Sequence, residues 1–248
     1  MRILAIGNSF SQDASAYLHQ AAKAQGIELE ICNLYIGGCP LERHCLNLES
    51  GEMEYDVQVN GESTGRMASI MEMLREGPWD AVVTQQASHY SGWMESYEPF
   101  TGILADTLRR EVPGARLFLH ETWAYEHASG HRFFLRYNRS QQEMYGRLRE
   151  CYYTMADKYG FTLIPSGDLI QQARQLPAFD TRSGGQTLCI EDGFHMNLYG
   201  RYLLACSWIK TICGASVKNN PFVPEPGRGV EKVDEALLQL VRDVVEAG

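Results

Sequence analysis

Short apolar segments alternate with longer segments of helical spacing along the whole chain, and this alternation constrains the fold most strongly. Five segments have the pattern of buried strands, at residues 2–6, 28–34, 81–84, 116–120 and 161–165. Strands that alternate with helices form βαβ units, in which the strands are parallel and helices cover both faces of the sheet. Gly26 and Gly160 occur where helices are expected to end, and Gly77-Pro78 precedes the third strand. We therefore predict an α/β fold with a five-stranded parallel sheet.

Three helices are predicted in the second half of the chain, at residues 138–159, 198–212 and 230–244. Their apolar residues recur at spacings of three and four, as amphipathic helices require. Residues 55–63 instead alternate polar and apolar side chains as far as Asn60-Gly61, a pair that favours a tight hairpin turn. We expect a β-hairpin inserted after the second strand, which either walls one side of a site or lies on the surface without a role.

Composition excludes several classes of function. The net charge of -9 argues against sequence-independent nucleic-acid binding, which needs a basic surface. The seven cysteines include no C-x-x-C pair and no disulfide-scaffold spacing, which favours a reducing compartment. No apolar run approaches the roughly 18 residues that span a bilayer, and no signal peptide precedes the first strand. We expect a cytoplasmic protein with no membrane partner, or an exported one if a signal peptide has been removed.

A serine at the first strand-to-helix junction is the leading candidate for a nucleophile. Ser9 lies in Gly7-Asn8-Ser9-Phe10-Ser11, directly after the first predicted strand. Backbone N–H groups at a helix start lack intrahelical acceptors, and the helix dipole is positive there, which suits a nucleophile that generates an oxyanion. Taken alone, the position fits a helix N-cap better than it fits a nucleophile.

Residues with suitable chemistry also follow the other predicted strands. In an open parallel sheet, ligands bind beyond the carboxyl ends of the strands. Gly37-Gly38 follow the second strand, Gln85-Gln86 the third, and Glu121-Thr122-Trp123 the fourth, whereas Asp192 and His195 precede the helix at residue 198. We predict that these segments assemble one site.

Acyl transfer gives each of these residues a role. His195 can take the proton of Ser9 and return it to a leaving alcohol, and Asp192 can fix the imidazole tautomer. The oxyanion donors are predicted to be the N–H of Ser9, the N–H of Gly38 and the side-chain amide of Gln85 or Gln86. Asp192 before Gly193 also suits a turn, and Gly38 also suits a turn glycine.

This order of motifs resembles the SGNH (GDSL-type) hydrolase superfamily. The resemblance extends from Gly7 to His195 and the following helix, so we expect residues 1–248 to form a single domain of this type. It implies a flavodoxin-like three-layer α/β/α sandwich. It also implies hydrolysis of an ester, often an acetyl or other acyl group on a carbohydrate, with Ser9, Asp192 and His195 as the triad.

Two motifs depart from the family pattern. Gln85-Gln86-Ala87-Ser88-His89 replaces the usual Gly-x-Asn-Asp and is closer to the Gln-Gly-Glu-Ser of sialate-type acetylesterases, which favours Gln85 as the amide donor. Asn8 stands where aspartate is common. The combination resembles a poorly characterised bacterial branch, so the substrate stays open. The alternative to a serine esterase is a catalytically silent carbohydrate-binding protein on the same scaffold.

Several further residues are candidates for substrate contact. They are Asn8, His44, His89, Glu121 and Trp123. A sugar ring could also stack on an aromatic platform formed by Tyr35, Tyr90, Trp93, Trp123 and Tyr125, although large aromatic side chains usually pack in a core. The histidines between residues 120 and 131 match no standard metal motif. We expect no metal and no cofactor, and we expect a small acylated substrate.

Overall fold

The computed structural model describes all 248 residues and contains one mixed sheet of seven strands. The strands are β1 Arg2–Gly7, β2 Glu30–Tyr35, β3 Tyr55–Val59, β4 Glu62–Ala68, β5 Ala81–Thr84, β6 Arg116–His120 and β7 Thr162–Ile164. Their spatial order is β4-β3-β2-β1-β5-β6-β7. Neighbouring strands are parallel from β2 to β7, which confirms the five predicted parallel strands and gives them the flavodoxin-like order.

The predicted hairpin is present, but the predicted sheet of five strands is too small. Strand β3 pairs antiparallel with β2, and β4 pairs antiparallel with β3, so the hairpin extends the central sheet to seven strands. The turn places Asn60 and Gly61 at φ values of 52° and 91°, as an Asn-Gly hairpin requires. Without β3, β2 would be an edge strand with unpaired backbone N–H and C=O groups. The hairpin supplies the hydrogen-bond partners of these groups.

Nine helices accompany the sheet. They are α1 Ser9–Ser15, α2 Leu18–Ala24, α3 Leu41–Ser50, α4 Ile70–Arg75, α5 Phe100–Glu111, α6 Gln141–Tyr159, α7 Ser166–Ala173, α8 Leu198–Trp208 and α9 Glu235–Ala247. Helices α1, α2, α8 and α9 pack together as one layer, and α3 to α6 form the other, with α7 in contact with both α6 and α8. None of the helices has the length and apolar character needed to cross a bilayer.

The predicted helices occur with shifted ends. Helix α6 begins at residue 141 because the Ser140 side chain accepts the N–H of Glu143, an N-terminal cap that the periodicity of the segment does not report. Helix α9 begins at residue 235 for the same reason, with Asp234 as its cap. The α-helical part of α8 ends at Trp208, and a π-helical turn, Ile209–Cys213, follows it directly.

A contiguous cluster of 68 buried residues forms the core, and the interior of β1 is completely buried. Parallel strands covered on both faces are apolar throughout, which explains the continuous apolar runs in the sequence. Because β1, β5 and β6 are adjacent and parallel, the residues that follow them lie side by side at the carboxyl edge of the sheet, where these strands end. This carboxyl edge holds Asn8, Ser9, Gln85 and Glu121.

Candidate active site

Ser9 is the first residue of α1, and Asn8 is the N-terminal cap of this helix. The Oδ1 atom of Asn8 accepts the N–H of Phe10 at 3.0 Å, which leaves the N–H of Ser9 without an intrahelical acceptor. The side chain of Ser9 is partly exposed and its hydroxyl makes no hydrogen bond within the protein. Both polar groups of Ser9 are therefore available at the edge of the sheet.

Asp192 and His195 form a pair within one loop. The Oδ2 atom of Asp192 lies 2.7 Å from Nδ1 of His195, while Oδ1 accepts the N–H groups of Phe194 and His195, both at 2.9 Å. Burial raises the pKa of Asp192, but these N–H groups and the His195 ring lower it more, so the net pKa is below its ordinary range. The carboxylate fixes the ring through Nδ1, and Nε2 of His195 has no hydrogen-bond partner in the protein.

Two buried side chains attach this loop to the helix that begins with Ser9. In α1, Asp13 accepts the N–H of Met196 at 2.7 Å and the Nε–H of Arg201 at 2.9 Å. Burial raises the pKa of Asp13, and Arg201, the Met196 N–H and Arg228 oppose that rise. The serine helix and the histidine loop are thus held together by a charged hydrogen-bond network.

Trp123 makes the second attachment. Its ring stacks on Phe10 with centroids 4.0 Å apart, and its Nε1–H donates to the carbonyl of Phe194 at 2.8 Å. Phe10 also meets the ring of His195 edge-on, with centroids 6.1 Å apart. Phe10, the residue after Ser9, therefore contacts His195 directly. Ser9 Oγ and His195 Nε2 do not form a hydrogen bond.

A directional chain of hydrogen bonds orients Gln85. Backbone groups fix the Asn8 amide, because Oδ1 accepts from Phe10 and Nδ2 donates to the carbonyl of Cys39 at 3.0 Å. Nε2 of Gln85 must then face Oδ1 of Asn8, to which it donates at 2.9 Å. Oε1 of Gln85 faces Nδ1 of His120 at 2.8 Å, so the proton of that imidazole is on Nδ1. Burial lowers the pKa of His120 to about 3, and the ring is neutral.

The two adjacent glutamines have different roles in the structure. Gln86 uses its whole amide within the fold: Oε1 accepts the N–H of Leu41 and of Ala87, and Nε2 donates to the carbonyl and hydroxyl of Ser96. Gln85 donates one N–H to Asn8, and its second N–H has no acceptor in the protein. Of the two predicted amide donors, only Gln85 has a free N–H beside Asn8, and Gln86 is a structural residue.

Gly38 lies in the exposed loop after β2. Its φ is +62°, and its N–H makes no hydrogen bond within the protein. The bond from Asn8 to the carbonyl of Cys39 brings this loop to the start of α1. The structure therefore brings together the predicted Ser9, Asn8, Gly38 and Gln85.

Three predicted substrate contacts have completely buried side chains, and each has a partner within the fold. Glu121 accepts the N–H of Asp168 at 2.9 Å and thereby caps α7. Trp123 joins α1 to the histidine loop, and His44 bonds Tyr55 of the hairpin at 2.8 Å. Polar type and position after a strand do not reveal burial, which depends on the layer that covers the residue.

The buried carboxyl of Glu121 has unusual electrostatics. Burial, followed by the neighbouring carboxylate of Asp168, raises its pKa well above the ordinary range, while the N–H of Asp168 opposes this. Its Oε1 atom is buried without a hydrogen-bond partner. Glu121 is therefore a structural carboxyl whose burial favours its protonated form.

The predicted aromatic residues do not form one platform. Trp123 and Tyr125 are buried, and Tyr35 is partly exposed at the end of β2. In the loop after β5, His89 and Tyr90 are partly exposed and Trp93 is exposed. His89 stacks on Phe133, with ring centroids 4.9 Å apart. This loop is distinct from the core that contains Trp123.

Sequence reasoning missed two residues of the site, Asp13 and the role of His120 as the partner of Gln85. Asp13 lies four residues after Ser9, on the same face of α1, and this spacing was a usable signal. His120 is a polar residue at the end of an otherwise apolar buried strand. Only the pairing of β5 with β6 shows that it meets Gln85.

The family described as a domain of unknown function, DUF4886, matches residues 2–236. No curated protein matches the sequence. A DUF4886 family protein from Bacteroides uniformis is similar over the whole chain and 93% of its own length, with 33% sequence identity and a TM-score of 0.89.

More distant structures share the fold. A protein from Slackia heliotrinireducens, proposed to be an SGNH hydrolase, is 23% identical with a TM-score of 0.58, over 86% of this chain and 98% of that one. A variant of Axe2, an acetyl-xylooligosaccharide esterase from Geobacillus Stearmophilus, is 11% identical with a TM-score of 0.54, over 85% and 93%. The fold is that of SGNH hydrolases, as the sequence motifs predicted.

Proposed function

This chain belongs to the DUF4886 family, and we propose that it is a serine ester hydrolase in which Ser9, His195 and Asp192 form the triad. One observation carries the proposal. The Asp192 carboxylate holds Nδ1 of His195 and leaves Nε2 free, in a loop that Asp13 and Trp123 attach to the helix of Ser9. General-base activation needs a free Nε2 and an unbonded serine hydroxyl on elements that are held together, which supports the proposal.

The proposed reaction has two halves. Nε2 of His195 takes the proton of Ser9 as Oγ attacks the ester carbonyl, and the resulting imidazolium gives that proton to the leaving alcohol. The acyl group is then on Ser9. Water attacks the acyl-enzyme with His195 again as base, the bond to Oγ breaks, and Ser9 regains its proton as the carboxylic acid leaves.

Three N–H donors without an acceptor in the protein are proposed for the tetrahedral oxyanion: those of Ser9 and Gly38, and the second amide hydrogen of Gln85, whose side chain is buried beside Asn8. Gly38 lacks a Cβ, so its backbone can approach the substrate closely. The Gln85 amide is held by Asn8 and His120 on either side. Donors fixed before the reaction stabilise developing charge without reorganisation, which supports this role.

We propose a short acyl ester, such as an acetyl group on a small carbohydrate, as the substrate class. The acetyl-xylooligosaccharide esterase with the same fold supports testing acetylated sugars first. The contiguous core supports residues 1–248 acting as one domain.

The experiment is a paired serine substitution. Ser9→Ala should abolish hydrolysis of p-nitrophenyl acetate, and a fluorophosphonate should label wild-type protein at Ser9, as mapped by mass spectrometry. Ser15→Ala is the matched control, because Ser15 lies in the same helix and its hydroxyl bonds only the carbonyl of Gln12 at 3.3 Å. The control should keep full activity. A fully active Ser9→Ala enzyme would refute the proposal.

A catalytically silent carbohydrate-binding protein is the second candidate. The absence of a hydrogen bond between Ser9 Oγ and His195 Nε2 favours it, since a working triad must bring its nucleophile and its base within hydrogen-bond reach. Calorimetric binding of acetylated sugars without turnover, equal in wild type and Ser9→Ala, would establish this function instead.

A further inference from the structure

Three arginines close to the histidine loop lack carboxylate partners. Arg132, Arg136 and Arg139 form no ion pair, although the chain carries a net charge of -9. Arg136 donates one hydrogen bond to the carbonyl of His89, and Arg139 donates one to the carbonyl of Ser129. The segment thus has positive charge that the protein itself does not neutralise.

Aromatic rings hold the guanidinium group of Arg136 in a fixed place. It lies over the rings of Phe133, Trp93 and Tyr90 at 4.3, 4.6 and 5.3 Å, and Arg132 also lies over Phe133 at 4.6 Å. Cation–π contacts of this kind orient a guanidinium group without neutralising it. Arg136 uses one of its five N–H donors, so the others stay available to an anion.

A continuous series of rings connects these arginines to the triad. The ring of Phe194 lies 4.3 Å from His195 and 4.8 Å from His131, and His131 lies 5.8 Å from Phe133. We call His131, Arg132, Phe133 and Arg136 the arginine ridge. Burial first, and then the neighbouring His131, Arg136 and Arg132, lower the pKa of His89 to about 4. The positive charge of the ridge comes from its two guanidinium groups.

The position of the ridge identifies the part of the substrate that it meets. His195 must reach the oxygen of the leaving alcohol to protonate it, so the alcohol part of an ester lies on the His195 side of the site. The ridge begins at that side, next to Phe194. Arg136 also covers faces of Tyr90 and Trp93 that a neutral sugar ring would need for stacking.

We propose that the arginine ridge binds a negative charge on the alcohol part of the substrate, so that esters of anionic alcohols, such as acidic sugars, are preferred. This inference rests on the proposed esterase function. The ridge supplies planar N–H donors for a carboxylate or another oxyanion. Its electrostatic attraction for that anion is strongest at low ionic strength, where salt screens it least.

Two acetate esters of similar shape test the proposal. At low salt, wild-type protein should hydrolyse 4-acetoxybenzoate with a kcat/KM about five- to tenfold above that for neutral 4-acetoxybenzamide. The double variant Arg132→Gln/Arg136→Gln should lose this preference and keep its rate on the neutral ester. Arg75→Gln is the control, because Arg75 is an exposed arginine without an ion pair in α4, outside the site.

The outcomes separate the two proposals. Hydrolysis of the neutral ester with no anion preference, or with a preference that survives in the double variant, would overturn the role of the ridge and leave the esterase function standing. No hydrolysis of either ester by wild-type protein would overturn both. Phenyl hemisuccinate places the charge on the acyl side instead, and phenyl butyrate is its neutral counterpart. If the double variant lost an equal preference for that anion, the assignment to the alcohol would be wrong.

Discussion

Nδ1 of His120 donates a hydrogen bond to Oε1 of Gln85 at 2.8 Å, and this contact fixes the direction of the Gln85 amide. On the other side, Nε2 of Gln85 donates to Asn8, whose own orientation is set by backbone groups. The neutral imidazole is buried and has no contact with the edge where Ser9 is exposed. We regard His120 as a positioning residue that acts through Gln85.

His120→Phe should lower kcat about tenfold with little change in KM, because the amide would lose its fixed orientation in the transition state. His120→Gln restores an N–H donor and should recover part of kcat. Steady-state kinetics with p-nitrophenyl acetate, together with circular dichroism, measure both effects. Equal losses in the two variants would show that His120 only fills space.

The two neighbouring glutamines should respond differently to substitution. Gln85→Ala should lower kcat by about 10²-fold or more, because it removes an oxyanion donor. Gln86→Ala should keep the kcat of the folded fraction but lower the free energy of unfolding by about 1–3 kcal/mol, because it leaves the buried N–H groups of Leu41 and Ala87 unpaired. Kinetics and urea unfolding of both variants check this. The reverse pattern would assign the donor to Gln86.

Trp123→Phe should lower kcat about tenfold, because it keeps an aromatic ring on Phe10 and removes the bond that holds the carbonyl of Phe194. Its stability should fall by about 1 kcal/mol. Trp79→Phe is a matched control, since Nε1 of Trp79 donates to the carbonyl of Met73 at 2.8 Å and is remote from the site. It should lose similar stability at unchanged kcat. Equal kcat losses would exclude a specific role for Trp123.

Glu121→Gln should make the protein more stable at pH 8. The raised pKa of Glu121 means that the folded state keeps a proton which the unfolded state loses above its ordinary pKa of about 4.3. The wild type therefore loses stability as the pH rises from that value towards the folded-state pKa, and the variant lacks this component. Urea unfolding at pH 5 and pH 8 measures the difference.

A second buried glutamate provides the contrast. Glu126 pairs with Arg174 at 2.9 Å, so Glu126→Gln should lower the free energy of unfolding by about 3 kcal/mol, because it leaves a buried cation uncompensated. If Glu121→Gln also destabilised the protein at pH 8, Glu121 would be ionised in the folded state.

The sequence by itself determined the backbone plan and the local parts of the site. Apolar runs and glycine junctions located the five parallel strands, because strands covered on both faces must be apolar. Asn60-Gly61 specified a hairpin through its turn conformation. Asp192 and His195 are close in sequence, so their pairing within one loop was predictable from that spacing.

Tertiary structure decided the properties that depend on distant neighbours. Gln85 meets an asparagine 77 residues away and a histidine 35 residues away, and neither contact leaves a local pattern. The same holds for the hairpin, whose place at the sheet edge depends on the free side of β2, and for Glu121 and Trp123, which other layers bury. Periodicity reports which face of an element is apolar. Burial, amide direction and protonation depend on what packs against that face, and only the folded chain defines those neighbours.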